Sequence, residues 1–534
     1  MTLPVRPAPQ RSLLACTCFL ALAALGCGVQ DERSRRDEST LTVLYCCDEW
    51  ELGPAEDDAP QRLVFLTLAR LDEHGDPQPR LAESWEHSPD YRTWTIRLRR
   101  DVRWHDGHPV TAHDVLFSME LWTHPEVLYW TVGPIRSSSI EGDYTLTVTF
   151  SKPTMDPLDG WSSIYPKHLL EELDPEEFYR WEFWTHPVGN GPYRYVRHVP
   201  KTMMEFEANP DFYLGKPRIG RVVLKFGTSA LVELLSGNVD AASEAVSASD
   251  ALKLAGDPRF RVYRRANEFF SWALIWNHEH PLFRDARVRR ALTLAIDRRE
   301  LHRVLNLPED RPLFDAIFTA RQFRRGELGE ALPYEPQRAK QLLEEAGWRD
   351  TDGDRIRERG GVEAHFTVLV RASPGGAGAI GQDERAAVVI QEQLRRVGVL
   401  MDFQALASSV INSRIRRGEF EATLRTLPNY PSGILRGAAA VGLDRGWFGQ
   451  ASPVGYHNPE LVRLLETADS TVDPAARDSL YREMREIFHT DLPVLFLWTP
   501  SPTSLVHRRV RGLEPPWRVD LFTYIEDLWL EDER

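Results

Sequence analysis

The sequence predicts a mixed α/β protein of two or three domains, one of them a smaller, separate domain. Three observations lead there. The chain has 534 residues, more than a single hydrophobic core organises, so two or three domains are expected. Strand and helix patterns alternate over 221–242: an apolar strand at 221–226, a helix over 229–237 ended by Gly237-Asn238, and a short strand at 240–242. Between about 73 and 185 the pattern changes. Trp94, Ile96 and Leu98 alternate with Thr95 and Arg97. Tyr144, Leu146, Val148 and Phe150 alternate with three threonines. These are two half-buried strands, with a helix over 111–122 between them.

The N-terminus reads as a targeting segment. Arg6 and Arg11 precede an apolar run over 13–25, too short to span a bilayer comfortably. It ends in Ala24-Leu25-Gly26-Cys27, which resembles a lipobox, so residues 1–26 are expected to be a lipoprotein signal peptide with the Cys27 thiol acylated. Residues 27–39 are polar and charged, a flexible tether. No later stretch reaches the ~18 apolar residues of a membrane span. The first strand follows at 40–45. Cys46 and Cys47 come next, before an acidic loop. The vicinal cysteines suit a structural thiol or disulfide, a ligand contact, or part of a metal site.

In the small domain, His105, Asp106, His108, His113 and Asp114 invite a metal reading. Asp106-Gly107 is also a turn signal, and Thr111 suits a helix start, which favours plain structure. Gly189-Asn190-Gly191-Pro192 is a dense turn. An apolar strand at 269–277 then feeds a helix with Val288, Ala291, Leu292, Ala295 and Ile296 on one face, Asp285 as cap, and Arg298 and Arg299 expected in its last turn. Further helices show stripes at Ala339, Leu342, Leu343 and Ala346, and at Ile390, Leu394 and Val397; Asp473-Pro474 opens another. Asp350 to Asp354 resembles the start of an EF-hand, but Arg355 and Gly361 stand where that loop needs Gly and Glu, so a turn is expected. Gly375 to Gly378 lacks the Lys-Ser/Thr of a phosphate loop. No nucleophile-elbow, zinc-protease or Cys-x-x-Cys pattern appears, so no enzyme, cofactor or resident metal is expected.

Pro281-Leu282-Phe283, Arg287 to Leu292, then Ala295-Ile296-Asp297-Arg298 closely resemble the signature helix of the family 5 extracellular solute-binding proteins, the peptide- and nickel-type receptors of ABC importers. Leu81 to Trp85, Trp104 to Gly107, Pro109 to Ala112 with Asp114-Val115, Gly189 to Tyr193, Asn209 to Tyr213 and Gly215 to Pro217 are similar to family segments in the same order. The resemblance implies a two-lobed periplasmic-binding-protein fold of type II, cluster C-like. It implies lobe I from 40–72, 186–268 and 490–534, the small extra α+β domain at 73–185, and lobe II at 269–489. It also implies a receptor, expected to be monomeric, that closes on an oligopeptide or other small solute and delivers it to an inner-membrane ABC permease. Such a protein would stand in the periplasm or at the cell surface, lipid-anchored. A lipoprotein sensor or metal carrier on the same fold is the alternative.

The ligand is less legible. The net charge of −14 argues against nucleic acid. Peptide-binding members of the family place an Asp after a strand of the second lobe to pair with the peptide ammonium. Here Pro428 is followed by Asn429 and Tyr430, and an Asn lacks that charge. Asp48, Glu49 and Glu244 are other candidate sources of it. Trp50 and Trp161 suit an aromatic wall. The expected ligand residues are Cys47, Glu49, Trp50, Glu244, Asn277, Asn429 and Tyr430, each at a strand end read as facing the cleft.

Overall fold

A computed structural model describes residues 39–45, 59–72, 76–124, 127, 135–155, 157–158, 162–227, 229–243, 246, 248–264, 270–307, 312–316, 329–372, 381–428, 454–499, 503–513 and 521–531. Cys27 lies outside the described residues. Among the described residues no helix is long and apolar enough to cross a membrane.

The first lobe is a seven-stranded sheet. Its order is Phe260–Arg264, Thr503–His507, Ala241–Ala242, Thr40–Tyr45, Arg221–Phe226, Met203–Ala208, Tyr193–Val199. The strand Thr40–Tyr45 sits in the middle and runs parallel to both neighbours. Central parallel strands need apolar cover on both faces, and the side chains comply. Leu41, Val43 and Tyr45 join one core cluster, while Leu44 joins another with Ala230, Leu234 and Leu254. Those three partners of Leu44 come from the helices Ala230–Leu235 and Ala248–Leu254. The first of these helices is capped by Ser229, whose side chain accepts from Val232 N.

The small domain is a four-stranded sheet in the order Ala82–His87, Thr93–Leu98, Thr145–Phe150, Ile135–Glu141. The helix Ala112–Trp122 starts at Thr111, as the sequence predicts, and Asp114 accepts from the Thr111 backbone N–H at 2.8 Å. Its core is not separate. Trp94, Ile96, Leu146 and Val148 belong to the same apolar cluster as Leu41 and Val43 of the first lobe. The turn at Gly189 to Pro192 makes part of this joint. His105 N of the small domain donates to Gly189 O at 2.7 Å, and the turn is held within the first lobe by Gly191 N donating to Val64 O at 2.8 Å and Leu66 N donating to Asn190 Oδ1 at 2.7 Å. A Cβ at Gly189 would run into the Val64 carbonyl, which is why glycine stands there.

The second lobe is a five-stranded sheet in the order Leu400–Leu406, His365–Arg371, Ala422–Pro428, Phe270–Trp276, Val494–Trp498. The last of these strands lies beyond 489, where the sequence places the lobe's edge. Antiparallel pairing of Trp272 with Trp498 and of Ile275 with Val494 holds it in the second sheet. Two core clusters cover the two faces, one built on Val288, Ala291 and Leu292, the other on Met484, Phe488 and Leu461.

The helix following the first crossing is Ala286–Ala295, with Asp285 as its cap. Arg298 and Arg299 do not close it. Asp297 accepts from Arg299 N and Glu300 N and opens a second helix, Arg298–Val304. An aspartate that meets two otherwise unpaired amides starts a helix more readily than it continues one. Arg298 is thereby turned inward and is only 3% exposed. The acidic segment after Trp348 is a turn, as expected: Asp350 accepts from Gly353 N at 2.7 Å and from Arg355 N at 3.1 Å.

Candidate functional site

The chain passes from the first sheet to the second between Arg264 and Phe270, and returns between Trp498 and Thr503. These two crossings define one edge of each sheet. In the first lobe Arg264 pairs with Thr503, Ala242 with Leu505 and Leu44, and Tyr45 with Phe226. The C-terminal ends of the strands Thr40–Tyr45, Arg221–Phe226 and Ala241–Ala242 therefore all point to the crossing edge. That is the edge where open α/β sheets place ligand groups. Tyr45 packs edge-on to Phe522, with ring centroids 6.0 Å apart, and the Ser243 and Ser504 hydroxyls lie 3.5 Å apart.

In the second lobe Phe270 pairs with Pro428, and Trp272 with Trp498. The strands His365–Arg371 and Leu400–Leu406 run parallel to Ala422–Pro428 or to each other and end toward the same side. This edge is aromatic and charged. The Trp272 and Trp498 rings stack at 5.6 Å and 14°. The Trp272 indole N–H donates to Asp383 Oδ1 at 2.9 Å, and Arg371 Nε stands 3.8 Å from Asp383 Oδ2. Burial pushes the Asp383 carboxyl above its ordinary range, against the pull of Arg371 and of the indole hydrogen bond. Arg425, on Ala422–Pro428 opposite Ala273, is brought down to about 10 by burial. The crossing edge thus places charges of both signs beside a largely buried aromatic stack.

Six of the seven expected ligand residues lie outside the described residues: Cys47, Glu49, Trp50, Glu244, Asn429 and Tyr430. Trp161 does too. Their sequence positions follow the strand ends just named, since Cys46 follows Tyr45, Glu244 follows Ser243 and Asn429 follows Pro428. Asn277 is different. The strand enters its lobe at Phe270, so its other end, Trp276-Asn277, lies at the edge away from the crossings. There the Asn277 amide donates to Phe420 O at 2.7 Å and its carbonyl accepts from Glu279 N at 3.0 Å. Its side-chain oxygen is engaged within the turn and its amide nitrogen by the Phe420 carbonyl.

The neighbouring His278 is 7% exposed and packs against Tyr456, with ring centroids 5.1 Å apart. Burial, helped by the Arg289 guanidinium, lowers its pKa from 6.5 to about 4. Below pH 6.5 the unfolded chain takes a proton there that the folded chain refuses, so this group's contribution is complete above 6.5 and is lost as pH falls toward 4. Thermal melts are expected to show stability falling through that window at about 1.4 kcal/mol per pH unit from this group. A His278→Gln variant should have a flatter profile, and an unchanged profile would disprove the assignment.

Trp272, Trp498, Asp383, Arg371 and Arg425 escaped the sequence reading. Trp272 and Trp498 sit in apolar runs that look like plain core strands. Only their pairing, from the two ends of the second lobe's chain, stacks them on each other, with Trp498 buried in the core cluster and Trp272 packed against it.

Residues 76–433 match the bacterial extracellular solute-binding proteins, family 5 Middle. The chain belongs to this family. Its members are solute-binding receptors of the extracytoplasmic side, not catalysts. The oligopeptide-binding protein AppA of Bacillus subtilis is 26% identical over 88% of this chain and 87% of its own length. The heme-binding protein A of Haemophilus influenzae is 24% identical over 95% of this chain and 98% of its own. Among solved structures, NikZ from Campylobacter jejuni in complex with Ni(L-His) superposes with a TM-score of 0.79. It is 25% identical, and the match covers 92% of this chain and 99% of its own. The two-lobed, type II architecture of the family 5 receptors is thus established for this chain.

Proposed function

We propose that this family 5 receptor captures an oligopeptide, or a solute of similar size, between its two lobes and hands it to an ABC permease. The observation that carries this reading is the convergence of strand ends from both sheets on the two crossings, with the Trp272–Trp498 stack and Asp383 at that edge. The segments that continue from those ends supply the ligand groups Cys47, Glu49, Trp50, Glu244, Asn429 and Tyr430. The lobes close about the crossings and exclude water, so the ligand's polar groups must be matched by protein groups. Differential affinity for open and closed states is what signals occupancy to the permease. No bond is made or broken. A lipid on Cys27 anchors the protein, as a monomer, to a membrane in the periplasm or at the cell surface.

The aromatic stack provides the assay. Intrinsic tryptophan fluorescence is expected to change saturably on addition of mixed tri- to pentapeptides, and a Trp272→Phe variant should lose much of that change. The peptide-binding relatives speak for this ligand class; the nickel-histidine and heme relatives define the competing outcomes. A response to heme or to nickel-histidine with none to peptides would overturn the peptide reading and favour a chelate carrier or sensor on the same fold.

A further inference from the structure

We propose that Asp106, His108 and His168 form a binding site for a transition-metal dication of the zinc class on the small domain. The sequence places Asp106 and His108 in one turn, but His168 lies 62 residues beyond Asp106, in the helix Lys167–Leu170. The fold brings the three together. Asp106 Oδ2 is 2.8 Å from His168 Nε2, and Asp106 Oδ1 is 3.1 Å from His108 Nδ1. The two imidazole rings lie 4.4 Å apart. One donor atom from each residue falls within 4.8 Å of the others. Zinc takes imidazole nitrogen and carboxylate oxygen at about 2.0–2.2 Å, so donors of one tetrahedron stand about 3.3 Å apart. Small side-chain rotations suffice to reach that geometry.

The donor set decides the class of ion. Two imidazoles and one carboxylate suit zinc, nickel or copper; calcium and magnesium want more oxygens. The fourth position faces solvent, because the His108 side chain is 61% exposed. Both pieces of backbone are held in place. His108 N donates to Asp106 Oδ1 at 3.1 Å, and Trp104 N donates to His108 O at 2.8 Å. His105, which the sequence grouped with them, faces the other way: its ring nitrogens meet Gly189 N at 3.2 Å and Gly191 O at 3.1 Å and fasten the turn to the first lobe. Asp114 likewise accepts from Lys167 N at 3.0 Å and anchors the segment that carries His168. Preformed supports of this kind keep the ordering cost of ligation small. The bound ion would clip the turn to the helix across a long loop, which stabilises the small domain.

The test is isothermal titration of the purified protein with zinc chloride alone, paired with thermal melts with and without zinc. One zinc per chain is expected at this site, with a rise in Tm. His168→Gln and His108→Gln should each weaken binding by roughly tenfold or more and abolish the zinc-dependent rise, while melting normally without zinc. A Cys46→Ser/Cys47→Ser variant should bind as the parent does. Absence of zinc uptake by the parent overturns the proposal. So does zinc binding that survives both histidine changes, or that is lost in the cysteine variant alone.

Discussion

Asp315→Ala is expected to destabilise the second lobe by about 3–5 kcal/mol, because it leaves a buried guanidinium without its counter-charge. The Arg298 and Asp315 side chains are 2% and 1% exposed. Arg298 Nη1 donates to Asp315 Oδ1 at 2.6 Å and Nη2 to Oδ2 at 3.3 Å, a bidentate pair. The same guanidinium also reaches the carbonyls of Phe314, Leu332 and Phe496. Phe496 belongs to the strand Val494–Trp498, so one arginine joins the helix Arg298–Val304 to the last strand of the sheet. The attraction within the pair mostly offsets the cost of drying both charges; removal of one partner leaves that cost unopposed. A double change, Arg298→Met with Asp315→Leu, is therefore expected to lose much less than Asp315→Ala alone. Calorimetry should show the Asp315→Ala transition broadened or split, since the second lobe has core clusters of its own and independent units need not melt together. A single unshifted transition in that variant would contradict the account.

The matching pin in the first lobe is Asp240. Arg509 Nε donates to Asp240 Oδ1 at 2.7 Å and Arg509 Nη2 to Oδ2 at 2.9 Å, with side chains 7% and 3% exposed. Asp240 Oδ2 also accepts from Thr42 N at 2.9 Å, and Arg509 Nη2 reaches Thr40 O at 3.0 Å. The pair thus ties the central strand Thr40–Tyr45 to the end of the returning strand Thr503–His507, which leads to Arg509. Asp240→Ala is expected to cost about 3–5 kcal/mol on the same grounds. It should also speed hydrogen exchange at Thr42, whose amide loses its acceptor. Since Thr40–Tyr45 leads directly into Cys47, Glu49 and Trp50, peptide affinity should fall with it. Exposed pairs make the contrast: Arg463 and Glu460, more than half exposed, should contribute little, because water and salt screen them.

Much of the architecture is legible in local pattern. Alternation at Trp94 to Leu98 and Leu146 to Phe150 became paired strands of the small sheet. The stripe at Val288, Ala291, Leu292 and Ala295 became a buried helix face. Asp285 and Asp473 cap their helices by accepting from free amides, and Thr111 opens its helix with Asp114 reaching back to it. Each of these depends on contacts within a few residues, so spacing alone carries the information. The edge of the second lobe was not legible in the same way. Val494–Trp498 is buried at every position, and a uniformly apolar run does not state which sheet it completes.

The candidate site divides along the same line. The strand ends before Cys46, Glu244 and Asn429 could be read from sequence, because a strand that stops at polar residues marks its own end. That Asn277 stands at the edge away from the crossings was not legible, because the direction in which its strand crosses into the lobe is set by the partners of Phe270 and Trp276. By itself the sequence determined the family, the element types and the caps, all of which rest on short-range geometry. Only the tertiary structure decided that Trp272 stacks on Trp498, that Arg298 pairs inward with Asp315, and that His168 joins Asp106. Each of those depends on chain segments separated in sequence, whose approach is fixed by sheet order and core packing and not by any local residue spacing.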